Sequence, residues 1–321
     1  MAGPSSGGRS AVGRRWRRLG AGGLAVLVVV AAVEAILRWG VGLGDPPLAR
    51  LDPDTEYELV RSAEYRRWGN TISINALGMR APDPPAPSRP SDRRVLVIGD
   101  SVVYGEHRLD QSETVAARMT AALEADPALA GCRPIVLPMA VSSWGPINQA
   151  AFLARDGLHG ADVAALVISA HDLAEVPDGR EASVPYRLSS PGWAIGDAVY
   201  LLRQRLSSPE PGPPLAPLEE RWAANLAALD EMADRLAAAG VTLEVVYHPT
   251  TLELAGTIPP ERALVLDWAA GRGLEVVDRI VSGPGPSGYR DLIHPNAAGA
   301  DDLARELAAV VSPHLASCSG G

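Results

Sequence analysis

The sequence contains no lysine; all 29 of its basic residues are arginines. That excludes a P-loop phosphate cradle and a lysine Schiff base together. Only two cysteines occur, Cys132 and Cys318. They are too few for a disulfide scaffold and too far apart for a CxxC site. Aromatic residues make up 5% of the chain, with a single phenylalanine, Phe152, so a core has to be built from Leu, Val, Ala and Ile. Positive charge is in short supply: the formal net charge is −9, which argues against a nucleic-acid partner. His107, His159 and His248 lack metal-ligand spacing and read as surface or strand-end residues, His248 at a cleft rim. No metal or cofactor is implied.

What is present is length and apolar content. At 321 residues and 47% hydrophobic, the chain can bury one core of ordinary size without a second domain. Its start is distinctive. Arg14, Arg15, Arg17 and Arg18 precede an apolar run from Leu19 to Leu37, interrupted at Glu34 and ending at Trp39. The run is about the 20 residues a bilayer requires. The arginines predict a cytoplasmic amino terminus. The expectation is a transmembrane signal anchor over 19–38 behind a basic segment, 1–18, with everything after it outside the cytoplasm. A cleaved signal peptide with its small residue at Ala35 is the alternative.

From 39 to 90 no long periodic segment appears, and Pro82 to Pro90 reads as an extended linker. Beyond it, apolar runs alternate with amphipathic stretches. Val95–Ile98, Pro134–Leu137, Val163–Ser169, Val241–Tyr247 and Leu274–Val277 read as buried strands. Glu113–Ala125 (capped by Ser112), Pro146–Asp156, Leu218–Ala239, Pro260–Ala270 and Ala297–Val311 read as helices. Such alternation predicts a parallel sheet covered on both faces. Residues 177–217 are rich in Pro, Gly and Ser and form a long insertion after a strand's carboxyl end, readable as a lid or as a mobile surface loop. The tail, 313–321, is expected to be disordered.

The chemistry is concentrated at two ends of this region. Gly99-Asp100-Ser101 follows the first buried strand, at the edge where open α/β sheets bind ligands. Asp291-Leu-Ile-His294 precedes the last helix. A serine nucleophile needs a base and the base an orienting group, and Asp291 is local to His294. Asp100 reads as a turn residue that bonds backbone amides.

These two blocks, with Gly105, resemble the SGNH (GDSL-type) hydrolase family over residues 91–312. Ile74-Asn75-Ala76-Leu77-Gly78-Met79-Arg80 is similar to a segment that membrane-anchored bacterial members carry before the nucleophile. The resemblance implies a flavodoxin-like three-layer α/β/α sandwich, preceded here by the anchor. It implies Ser101, His294 and Asp291 as a triad. Its oxyanion hole maps onto the Ser101 amide, Ser143 where the family has glycine (Gly145 in a shifted register), and His171 where the family has asparagine. Gly99, Asp100, Gly105, Gly145 and Asp172 fall near the site as structural residues. The expected activity is hydrolysis of a small-molecule or glycan ester. The alternatives are O-acyl transfer to an exported glycan or envelope sugar, and a non-catalytic anchored binding module.

Overall fold

The computed structural model describes residues 8–86, 89–206 and 214–318. In chain order, a long helix α1 (Gly8–Ala35) precedes two antiparallel hairpins. One joins β1 (Ala49–Asp52) to β2 (Glu56–Leu59), the other β3 (Ala63–Arg67) to β4 (Asn70–Ile74). Next come β5 (Asp92–Gly99), α2 (Ser101–Tyr104), α3 (Val115–Glu124), β6 (Arg133–Ala140), α4 (Pro146–Asp156) and β7 (Val163–Ile168). The remainder is α5 (Ala194–Leu206), α6 (Leu218–Ala238), β8 (Thr242–Tyr247), α7 (Thr251–Leu254), α8 (Pro260–Gly271), β9 (Val276–Asp278), α9 (Arg279–Ser282) and α10 (Ala297–Val311).

The chain divides into two compact units. The larger holds residues 46–189 and 210–321. Its centre is a five-stranded sheet in the order β6-β5-β7-β8-β9, parallel throughout. This is the flavodoxin-like order, in which the chain reverses direction across the sheet beside β5 and opens a crevice at the carboxyl ends. The strands are near-continuous apolar runs because helices cover both faces. Helix α3 packs with α10, and α4 with α6. Leu96, Val97, Val163 to Ala165 and Val245 to Tyr247 are all but inaccessible. Helix α3 starts later than Ser112 suggests. Residues Gln111–Glu113 form a 3₁₀ turn, and Thr114 rather than Ser112 caps α3 by accepting the Ala117 N–H.

Within the expected linker and accessory segment, 39–90, residues 46–81 lie in the same compact unit as the sheet. Tyr57, Leu59, Tyr65, Ile72, Ile74 and Met79 join the main hydrophobic core. Strand β4 pairs with β3 in a two-stranded sheet, and its Ile72 and Ile74 pack into the core. The expected disordered tail differs. His314 ends a 3₁₀ turn, Leu315 is buried, and Cys318 is joined to Cys132 by a disulfide. Ser319 to Gly321 lie outside the described residues, as do residues 1–7 of the basic segment and 87–88 of the linker.

The smaller unit holds residues 1–45 and 190–209. From Arg18 to Val41 its helix is apolar and long enough to cross a membrane, as a signal sequence also would be, and none of that stretch is buried. The last turns widen into a π-helix over Ile36–Val41. The 177–217 insertion is thus split. Its first part folds with the sheet, its 190–206 part forms α5 with the amino-terminal helix, and 207–213 fall outside the described residues.

Candidate active site

The loop after β5 turns sharply because of its glycines. A Cβ at Gly99 would lie 2.5 Å from Val103 Cγ2, so only glycine lets α2 fold back on its own strand. Gly105 ends α2 with φ +78°, a left-handed cap that suits glycine. Asp100 caps α2 by accepting the Val102 N–H at 2.9 Å. Ser101, 7% exposed, sits at the first helical position.

Residues 288–296 bring the histidine. A bridge pairs Tyr289 with Pro295, the Arg290 N–H donates to the His294 carbonyl, and Thr251 N–H donates to Leu292 O at 2.8 Å. Asn296 caps α10, as an asparagine before a helix does. Within this loop Asp291 Oδ1 accepts the His294 and Ile293 N–H groups. Both Asp291 oxygens lie 2.9 Å from His294 Nδ1, and His294 Nε2 lies 3.0 Å from Ser101 Oγ. Burial works against the charged carboxylate, but these hydrogen bonds hold Asp291 down at about 2. The three residues picked from sequence therefore meet, in the relay order Asp–His–Ser.

Ser101 has a second acceptor, Asp100 Oδ2 at 3.1 Å, and that oxygen is also 3.2 Å from His171 Nε2. Asp172 Oδ1 lies 3.3 Å from the same His171 nitrogen. Burial disfavours a charged His171, but Asp172 and Asp100 outweigh it and push the imidazole up to about 10. Asp100 is held below its usual range despite complete burial, chiefly by the hydrogen bond to His171, while burial raises Asp172. At neutral pH the His171 cation occupies the space between the two carboxylates where a bound cation would sit. His171 Nε2 is committed to Asp100, and Nδ1 is buried without a partner among the described residues.

Ser143 adopts φ +60°, the left-handed conformation, which accounts for glycine in the family pattern at this place. Among the described residues, neither the Ser101 nor the Ser143 N–H has an acceptor. In the shifted register the residue is Gly145, whose N–H donates to Asn148 Oδ1 at 3.2 Å. A Cβ at Gly145 would also lie 2.5 Å from the Glu175 carbonyl, so this glycine serves close packing.

Several supporting residues were not visible in the sequence. Tyr57, from β2, donates its hydroxyl to the Ser142 carbonyl at 2.7 Å, and Trp144 Nε1 donates to the Tyr57 carbonyl. The Tyr186 hydroxyl accepts the Ser142 N–H and donates to Ser142 Oγ. Together they clamp the 142–145 turn. Arg80, wholly buried, donates to the Tyr104 and Leu109 carbonyls at 3.1 and 2.7 Å. The 74–80 motif therefore braces the segment behind Ser101. Glu106 Oε1 lies 3.6 Å from His294 Nε2, and Arg290 holds the other Glu106 oxygen at 2.7 Å. His248 is buried, not at the rim. Its Nε2 is 2.9 Å from the Ile293 carbonyl, and burial lowers it to about 4. A cleft of about 380 Å³ lined by Leu51 to Asp54, Glu56, Pro177, Gly179 and Arg180 includes none of the triad residues.

No family model matches the chain. No curated protein matches it either. Among solved structures, TesA is similar over 70% of this chain and all of its own, at 17% identity and a TM-score of 0.43. A lipase/acylhydrolase from Enterococcus faecalis is similar over 71% of this chain and all of its own, at 13% and 0.44. An inhibitor-bound aryl esterase of M. smegmatis is similar over 70% and 100%, at 16% and 0.43. A lipolytic protein of the G-D-S-L family from Desulfitobacterium hafniense is similar over 68% of this chain and 98% of its own, at 13% and 0.42.

Proposed function

We propose that this protein is a membrane-anchored serine esterase facing away from the cytoplasm. The observation that carries the reading is the His294 imidazole, with Nε2 3.0 Å from Ser101 Oγ and Nδ1 2.9 Å from both oxygens of Asp291. In this mechanism Ser101 Oγ bonds to the acyl carbon as its proton passes to His294 Nε2. Asp291 fixes the Nδ1–H tautomer and faces the imidazolium that forms. The unpaired N–H groups of Ser101 and Ser143 receive the carbonyl oxygen as it becomes negative. The tetrahedral intermediate then expels the alkoxide, which takes the proton from His294 and leaves as the alcohol. Water, deprotonated by the same imidazole, attacks the acyl-serine, and the acid departs with Ser101 restored.

The Ser101 hydroxyl has one proton and two acceptors, His294 and Asp100. A cationic His171 drains acceptor strength from Asp100, so the proton goes to His294, the productive partner. His171 is thus a positioning residue in this reading. The Cys132–Cys318 disulfide supports an oxidising compartment, as the amino-terminal arginines do by the positive-inside bias.

The test is hydrolysis of short-chain nitrophenyl esters by the full chain and by Ser101→Ala. Turnover that falls about 10³-fold or more in the variant supports the reading. Equal rates in the two proteins overturn it.

A further inference from the structure

Helix α5 is amphipathic in an unusual direction. Its inward face is anchored by Asp197, fully buried, whose Oδ2 accepts the Gly44 N–H at 2.9 Å. Its outward face carries Ile195, Val199, Leu202 and Leu206, spaced four, three and four apart, which is one helical stripe. Val199, Leu202 and Leu206 are 43, 56 and 77% exposed, and Trp193 just ahead of the helix is 51% exposed. Isolated exposed leucines need no explanation, but a continuous stripe does. At helical spacing Arg203 and Arg205 fall on the two flanks of that stripe, and Gln204 falls opposite it.

The attachment of this helix is equally specific. Glu34, near the end of the apolar run of α1, accepts the Ala194 N–H at 2.8 and 2.9 Å and the Ile195 N–H at 3.0 Å. Arg38 donates to Glu34 at 2.9 Å and to the Gly192 carbonyl at 3.2 Å. A carboxylate within a membrane-spanning segment has to be paired, and here its partners are the first N–H groups of α5. The start of α5 is therefore held at the level where α1 leaves the hydrocarbon.

We propose that α5 is a second membrane contact, lying at the bilayer interface with its Val199–Leu202–Leu206 stripe turned into the acyl region of the leaflet from which α1 emerges. This rests on reading α1 as an anchor. A bilayer is the occupant because the stripe belongs to the same compact unit as the fully exposed apolar surface of α1 and is hydrogen-bonded to its end. The composition is also that of an interfacial helix: apolar stripe, flanking arginines for lipid phosphates, and a tryptophan at the edge.

The test uses the full chain in vesicles of phosphatidylcholine and phosphatidylglycerol, three to one. Spin labels are placed on single cysteines at Val199→Cys, Leu202→Cys and Leu206→Cys. Gln204→Cys is the aqueous reference and Leu27→Cys the reference within α1. The native cysteines are joined to each other and leave the added thiol free. Oxygen, which concentrates in lipid, should relax the stripe labels several-fold more strongly, relative to a water-soluble nickel chelate, than the Gln204 label. Stripe labels as open to the chelate as Gln204 overturn the proposal, provided Leu27 is lipid-immersed. Stripe labels shielded from both reagents indicate a protein cover and also overturn it. A Leu27 label open to the chelate refutes the anchor itself and takes the interfacial helix with it.

Discussion

Ser143 is held where its side chain is a burden. A left-handed backbone costs a residue with a Cβ about 1 kcal/mol relative to glycine, and φ at Ser143 is +60°. If its N–H is what the site uses, Ser143→Gly should keep esterase activity and raise stability by up to about 1 kcal/mol in urea denaturation, less the added chain entropy. Ser143→Val should lose both. The histidines give predictions of opposite sign. His248 titrates near 4 in the fold because burial disfavours its charge, and near 6.5 when unfolded. The unfolded chain therefore takes the proton first, and stability falls as pH drops from about 6.5 to 4, by about 3 kcal/mol at most. His171, pushed up to about 10 by Asp172 and Asp100 against the cost of burial, behaves conversely. Its contribution is complete below about 6.5 and disappears as pH rises through 10. The difference in urea midpoint between the native chain and His171→Ala should shrink over that alkaline range.

At the scale of elements, the loops that carry Ser101 and Ser143 are held from behind by the segment that precedes the sheet. Arg80→Ala would leave the Tyr104 and Leu109 carbonyls unpaired in the interior, a loss of about 3 kcal/mol or more. Activity should fall along with the melting temperature, because the same segment leads out of the nucleophile turn. Tyr57→Phe is the gentler probe. It removes one hydroxyl from Ser142 and should lower turnover more than it lowers stability. These supports explain what the sequence conceals. The five strands of the sheet are legible because burial on both faces makes each an unbroken apolar run. Of the hairpin strands only β4 shows, in the alternation of Thr71-Ile72-Ser73-Ile74; β1–β3 do not, since Glu56, Glu58, Glu64 and Arg66 break any apolar pattern, and their ion pairs depend on residues far along the chain. Glu58, for instance, pairs with Arg155 at 2.6 Å. Ser101, His294 and Asp291 are legible because each lies in a short local motif. The commitment of His171 to Asp100 is not, because 71 residues separate them and only the sheet order brings them together.

Across the whole molecule, the disulfide closes a loop of 186 residues that contains most of the sheet and all of the triad except Ser101. Cross-linking a loop of that length restricts the unfolded chain by about 5 kcal/mol. Replacing both cysteines with serine should lower stability by that order, with esterase activity at moderate temperature retained. Reducing agent should lower the melting temperature of the native chain and leave that of the double variant unchanged. The carboxylate that accepts the first N–H groups of α5 belongs to Glu34, one residue ahead of Ala35. A leader peptidase cutting after Ala35 would carry that acceptor away with the leader. Release from the membrane and unravelling of residues 194–206 would then be one proteolytic event, and a shed form of this protein would differ from the tethered form in structure as well as in address.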